Sequence, residues 1–267
     1  MKRWKVSWPT FYVPMPSLKS FKRRMRRIIA EQNPLRILFS EIQMTTLLPS
    51  LEIETGPQPE FSVIWLHGLG ADGYDFEPVV PELGLPLSPG VRFIFPHAPA
   101  ISVTCNGGYV MPAWYDIVSL DKSSRSVDAA GIIASRQAIR DLIARENQRG
   151  IACDHIFLAG FSQGGAVAYA SALTHPEPLA GVIALSTYIP LPRLIEDEAT
   201  VANQAIPVLA AHGTEDDVVS LELGLRARDF LIQSGYSVEW LEYPIPHAIC
   251  LEEIEVIGTW LTAQMRR

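Results

Sequence analysis

Short apolar runs recur along this chain. Each is closed by a glycine, a proline or a polar turn, and most are followed by a segment with helical spacing. The runs 61–66, 91–95, 155–159, 181–186 and 206–211 are too short for helices and too evenly apolar for half-exposed strands. They read as parallel strands buried on both faces. Residues 52–54 are expected to form an early edge strand, and 238–243, which alternates, the last strand. Helices are predicted over 127–149, 165–173, 221–233 and 251–265. In the first of these, Ile132, Ile133, Ala138, Ile139, Leu142 and Ile143 fall on one face and Gly150 supplies the stop. Residues 96–126 read as one long loop. Strands alternating with helices predict an α/β domain, with a mainly parallel sheet covered by helices on both faces.

No repeat or low-complexity linker interrupts residues 44–267, so they are expected to form one domain. Residues 1–43 are different. They carry ten Lys or Arg against only Glu31 and Glu41, while the remainder carries twelve basic and twenty-seven acidic residues. Residues 17–30 form a basic, weakly amphipathic helix candidate, which one reading makes a membrane-surface or targeting segment. Met44-Thr45-Thr46 would make a natural start for the compact domain, so the basic extension is expected to stand outside the fold. The acidic body argues against nucleic acid as a partner. No run reaches the length that spans a bilayer, so stable membrane insertion is not expected. Three widely spaced cysteines (Cys105, Cys153 and Cys250) fit a reducing, cytoplasmic setting rather than a disulfide scaffold. No His/Cys spacing suggests a metal site, and no cofactor is called for.

The chemistry concentrates at Gly160-Phe161-Ser162-Gln163-Gly164. A predicted strand precedes this G-x-S-x-G run and a predicted helix follows it, the setting of a nucleophile elbow. A serine hydroxyl needs a base, and the base needs an orienting acid. Both occur in later strand-to-loop junctions. Asp216 follows the strand at 206–211, with Glu215 and Asp217 as neighbours that the sequence alone does not exclude. His247 follows the last strand. An oxyanion needs two fixed N–H donors. The backbone of Gln163 is one candidate, and Leu69, in the turn His67-Gly68-Leu69-Gly70, is the other. His67 and His212 each precede a glycine after a strand and are expected to shape their turns through local backbone bonds. Ile101, Val103, Trp114 and Ile189 are the candidates for an apolar substrate pocket.

The segments 66–70, 157–165 and 212–216 resemble the phospholipase/carboxylesterase family, and the stretch 106–117 is especially similar to its bacterial carboxylesterases. The resemblance covers about 50–265. It implies an α/β-hydrolase fold and a serine triad of Ser162, Asp216 and His247. It also implies oxyanion donors at Leu69 and Gln163, a loop at 96–120 bordering the acyl pocket, and frequent homodimers. Pro246-His247-Ala248 departs from the family's pattern around the base. The activity expected is hydrolysis of short- to medium-chain carboxylic esters through an acyl-enzyme, with a small-molecule ester as substrate. The alternatives are an acyl-protein thioesterase or lysophospholipase acting on long acyl chains and, in another class, a non-catalytic binding protein of hydrolase fold.

Overall fold

In the computed structural model, which describes residues 47–120 and 125–267, the apolar runs pair side by side. β1 is Ser50–Glu54, β2 is Pro59–Leu66 and β3 is Gly90–Pro96. Two small hairpins follow: β4 (Ala100–Val103) with β5 (Tyr109–Pro112), and β6 (Ile117–Leu120) with β7 (Arg125–Val127). Next come α1 (Ala129–Gln148), β8 (Ile156–Phe161), α2 (Gln163–Leu173) and β9 (Gly181–Leu185). The chain continues through α3 (Pro192–Glu198), β10 (Val208–Gly213), α4 (Leu221–Gln233), β11 (Val238–Tyr243) and α5 (Leu251–Gln264). Among the described residues, one sheet runs in the order β1-β3-β2-β8-β9-β10-β11. Every neighbouring pair is parallel except β1, which runs antiparallel to β3.

Period-two alternation sorts the central strands onto two cores. Ile64, Leu66, Ile94, Ile156, Leu158, Val182 and Ala184 pack with Ile132, Ile139 and Leu142 of α1 and with the apolar face of α2. Val63, Trp65, Phe93, Phe95, Phe157, Ile183 and Leu185 face the other way, onto residues 73–83 and onto Ile254, Ile257 and Trp260 of α5. This double burial explains why these strands read as unbroken apolar runs.

The structure departs from the sequence reading in the connections. Gly73–Leu83 forms a long 3-10 segment although it contains Pro78 and Pro81, and the Asp72 carboxylate caps it by accepting the Tyr74 N–H at 2.8 Å. Residues 96–126 are not one loop but carry the two hairpins. Gly107 and Gly108 turn the first at φ 68° and 80°, a conformation that glycine adopts without strain. α1 starts two residues later than expected, where the Asp128 carboxylate accepts from the N–H groups of Ala130 and Gly131, each at 3.0 Å. The expectations for residues 1–43 lie outside the described residues. Among the described residues, no helix is long and apolar enough to cross a membrane.

Parallel strands end on the same edge of the sheet. The loops after β2, β8, β10 and β11 therefore converge, as ligand-bearing loops do in open α/β sheets.

Candidate active site

β8 delivers the chain to Ser162, which sits at φ 54° and ψ −118° immediately before α2. This is an unfavourable conformation for a residue with a Cβ, costing about 1–3 kcal/mol. The surroundings enforce it. The Ser162 N–H donates to Leu185 O at 2.9 Å, and its carbonyl accepts from Thr187 Oγ1 at 2.6 Å. A Cβ on Gly160 would sit 2.5 Å from the Gly164 oxygen, and one on Gly164 would sit 2.6 Å from His67 O. The glycines of the motif are thus required by backbone-to-backbone approach on both sides of the serine.

Asp216 and His247 come from the loops after β10 and β11. The loops are stitched together: Thr214 N–H donates to Tyr243 O at 2.8 Å and Glu215 N–H to Ile245 O at 3.1 Å. His247 Nδ1 lies 2.6 Å from Asp216 Oδ2, while Asp216 Oδ1 accepts the N–H groups of Val218 (2.9 Å) and Val219 (2.7 Å). Burial alone would push the Asp216 carboxyl up. The bonds from His247 and the two amides outweigh it and hold the group below its ordinary value. Its neighbours Glu215 and Asp217 are exposed. The His247 ring packs against Phe161 with centroids 4.6 Å apart.

His212 lies beneath Asp216, with Nε2 3.6 Å from Oδ2, and donates from that nitrogen to Val219 O at 2.8 Å. Burial lowers its pKa. It is a neutral strut that shapes its turn, as the sequence suggests.

Ser162, Gln163, Leu69 and His247 line one cavity of about 460 Å³, within the range of small-ligand sites. Its walls include Phe76, Phe161, Ile117, Leu120 and Tyr188. Gln163 opens α2, where the first N–H groups have no intrahelical acceptor.

The model of the phospholipase/carboxylesterase family matches residues 49–265. The chain belongs to this family. It is 38% identical to acyl-protein thioesterase 1 of Cryptococcus neoformans, over 84% of this chain and all of that protein. The crystal structure of Arabidopsis thaliana SOBER1, a carboxylesterase by name, superposes with a TM-score of 0.73 at 32% identity, covering 77% of this chain and 99% of that one. Zea mays acyl-protein thioesterase 2 superposes at 0.71 with 28% identity, covering 82% and 99%. The chain is an α/β-hydrolase acting on esters or thioesters.

The pocket of this hydrolase differs from the one expected. None of Ile101, Val103, Trp114 and Ile189 is among the residues lining the cavity. The large ring of Trp114 is buried in the core, and its indole N–H is satisfied there by His67 O at 2.8 Å. Ile101 and Val103 lie on β4, in the hairpin with β5. Ile189 lines a second, smaller cavity of about 260 Å³, which shares Arg125 and Tyr188 with the first. The lining residues that sequence reasoning missed come from separate segments. Phe161, inside the G-x-S-x-G run at the end of β8, and Tyr188, just beyond the end of β9, carried a signal, since both lie at the ligand-bearing edge.

Glu253 opens α5 close behind the His247 loop and is only 2% exposed. Burial pushes its carboxyl up to about 7, partly offset by the Cys250 amide. The native state keeps this proton while the unfolded chain releases it near 4.5, so stability falls as pH rises from about 4.5 to 7. Glu253→Gln removes that cost. It is expected to raise stability at pH 8 by on the order of 2–3 kcal/mol, with a smaller gain at pH 5. Thermal unfolding at the two pH values checks it, and equal gains would contradict it.

Proposed function

We propose that this hydrolase is a serine carboxylesterase that cleaves short- to medium-chain esters with Ser162, Asp216 and His247 as its triad. Ser162 Oγ attacks the ester carbonyl while His247 takes its proton. The N–H groups of Leu69 and Gln163 hold the resulting oxyanion. The oxyanion collapses, the alkoxide leaves with the proton from His247, and water then cleaves the acyl-enzyme by the same route.

One observation carries the chain-length reading. The cavity over Ser162 is bounded on one side by Arg125, which stacks 4.9 Å from the Tyr188 ring centroid and donates to Val218 O. Beyond this wall lies the second cavity, lined by Ile189, Pro190, Leu223 and Phe230.

That second cavity, together with the acyl-protein thioesterases among the relatives, favours an alternative in which a long acyl chain displaces the wall. A series of p-nitrophenyl esters from acetate to palmitate separates the two. Under the proposal kcat/KM peaks at butyrate to octanoate and falls by about tenfold or more at palmitate, a loss of at least about 1.4 kcal/mol of transition-state binding. A maximum at palmitate selects the thioesterase reading.

We further propose that residues 44–267 are the hydrolase domain and that it works in the cytoplasm. The three free cysteines support that setting.

A further inference from the structure

The turn after β2 makes more bonds than a tight turn needs. His67 is fully buried, and its Nδ1 lies 2.7 Å from Gly68 O. A carbonyl only accepts, so Nδ1 carries the proton. Its Nε2 accepts the Ala98 N–H at 3.1 Å, so that nitrogen carries none. Burial lowers the pKa of this ring, in keeping with the neutral tautomer.

The peptide joining Gly68 to Leu69 is planar and trans, so its C=O and N–H point in opposite directions. Tethering the Gly68 oxygen to the buried imidazole fixes where the Leu69 N–H points. The neighbouring peptides are held as well. His67 O accepts the Trp114 indole N–H at 2.8 Å, and Gly70 N–H donates to Pro112 O at 2.8 Å. Three consecutive peptide units are therefore anchored. They lie against the nucleophile, since a Cβ on Gly68 would be 3.6 Å from Ser162 Cβ.

Trp114 extends the brace to the other donor. Its backbone N–H donates to Gln163 Oε1 at 2.8 Å, and Gln163 Nε2 donates to Tyr115 O at 2.7 Å. The buried Gln163 side chain thus grips the segment whose indole holds the His67 turn.

We propose that His67 is a positioning residue that aims the Leu69 amide at the developing oxyanion, and that Trp114 and the Gln163 side chain lock this turn to the second donor. The inference rests on the assignment of Leu69 and Gln163 as the oxyanion donors of Ser162.

Two substitutions separate aim from packing. In His67→Gln the side-chain oxygen reaches the place of Nε2 and keeps an acceptor for Ala98, but no donor faces Gly68 O. In His67→Asn the amide nitrogen stands near Nδ1, keeping that donor and losing the acceptor. With p-nitrophenyl butyrate, His67→Gln is expected to lose roughly 10–100-fold in kcat, below the ~10²–10³-fold of losing a donor outright. KM is expected to stay within about twofold, as for an interaction made only in the transition state. Affinity for a trifluoromethyl ketone, whose adduct places an oxyanion at the same spot, falls in step with kcat. His67→Asn recovers most of both.

Equal losses in the two variants that track their melting temperatures would overturn the proposal, as would a kcat loss with unchanged ketone affinity. Trp114→Phe keeps an aromatic ring at the position and deletes the indole donor. If neither His67 variant folds, it carries the same test, and wild-type kcat and ketone affinity in it reject the brace. Ser162→Ala in the same assay isolates the underlying assignment. Esterase activity surviving there brings down both, whereas an inactive Ser162→Ala beside a fully active His67→Gln rejects the positioning role alone.

Discussion

Ser162→Ala is expected to lower kcat on the order of 10⁶-fold, to abolish labelling by a fluorophosphonate, and to leave the fold intact. The structural contribution of residue 162 runs through its backbone. Its N–H is held by Leu185 O at 2.9 Å, and its carbonyl accepts from Thr187 Oγ1 at 2.6 Å and Ala166 N–H at 3.2 Å. Alanine keeps all three bonds. What it loses is the hydroxyl proposed as the nucleophile, on a residue that lines the cavity together with His247. The backbone strain stays, because φ 54° and ψ −118° disfavour any Cβ. Ser162→Gly removes the hydroxyl and the Cβ together, so it is expected to be more stable than Ser162→Ala by about 1 kcal/mol. Circular dichroism and thermal unfolding check the pair. Activity of Ser162→Ala within tenfold of wild type would mean that another group attacks.

The fold was legible because its strands are buried on both faces. Runs such as 61–66 and Gly181–Leu185 are too short and too evenly apolar for anything but central strands in an α/β pattern, and their parallel order brings every following loop to one edge. The positions of the candidate triad, Ser162, Asp216 and His247, were legible for the same reason, each standing just past a strand end. Glu215 and Asp217 could not be separated from Asp216 by sequence. The separation lies in which side chain turns under the loop toward the amides of Val218 and Val219, a tertiary fact.

The connections were harder. Pro78 and Pro81 argue against an α-helix, and the i to i+3 geometry of a 3-10 segment tolerates them here. Strands of three or four residues in the hairpins give too little alternation to count, although Asn106-Gly107-Gly108 is a hairpin signal that was present. The pocket is the least legible part, because apolar residues abound in core and cavity alike. Apolar character points equally to Trp114, whose ring is buried in the core with its N–H on His67 O, and does not single out Phe76, Phe161 and Tyr188, which come together from the 73–83 segment, the end of β8 and the connection after β9.

Asp216→Asn is expected to cost about 10⁴-fold in kcat with the site's geometry nearly unchanged. The asparagine oxygen can still accept the amides of Val218 and Val219, so the loop after β10 keeps its shape. Its nitrogen then faces His247 Nδ1 across the present 2.6 Å contact. An amide nitrogen only donates, so His247 must turn Nδ1 into an acceptor and move its proton to Nε2, the nitrogen that takes the Ser162 proton in the proposed mechanism. The variant is therefore folded, binds substrate and holds the wrong tautomer.

Stability carries a matching signature. The carboxyl of Asp216 is held below its ordinary 3.8 in the folded state, so its ionisation stabilises the native protein above that pH and the contribution is lost as acid protonates it. Asp216→Asn removes this stretch of the acid-unfolding curve. Glu215→Gln and Asp217→Asn, at exposed positions, are expected to change kcat by less than about threefold. Steady-state kinetics of the three variants decide the acid. A loss at Glu215 or Asp217 that matched or exceeded the loss at Asp216 would reassign it.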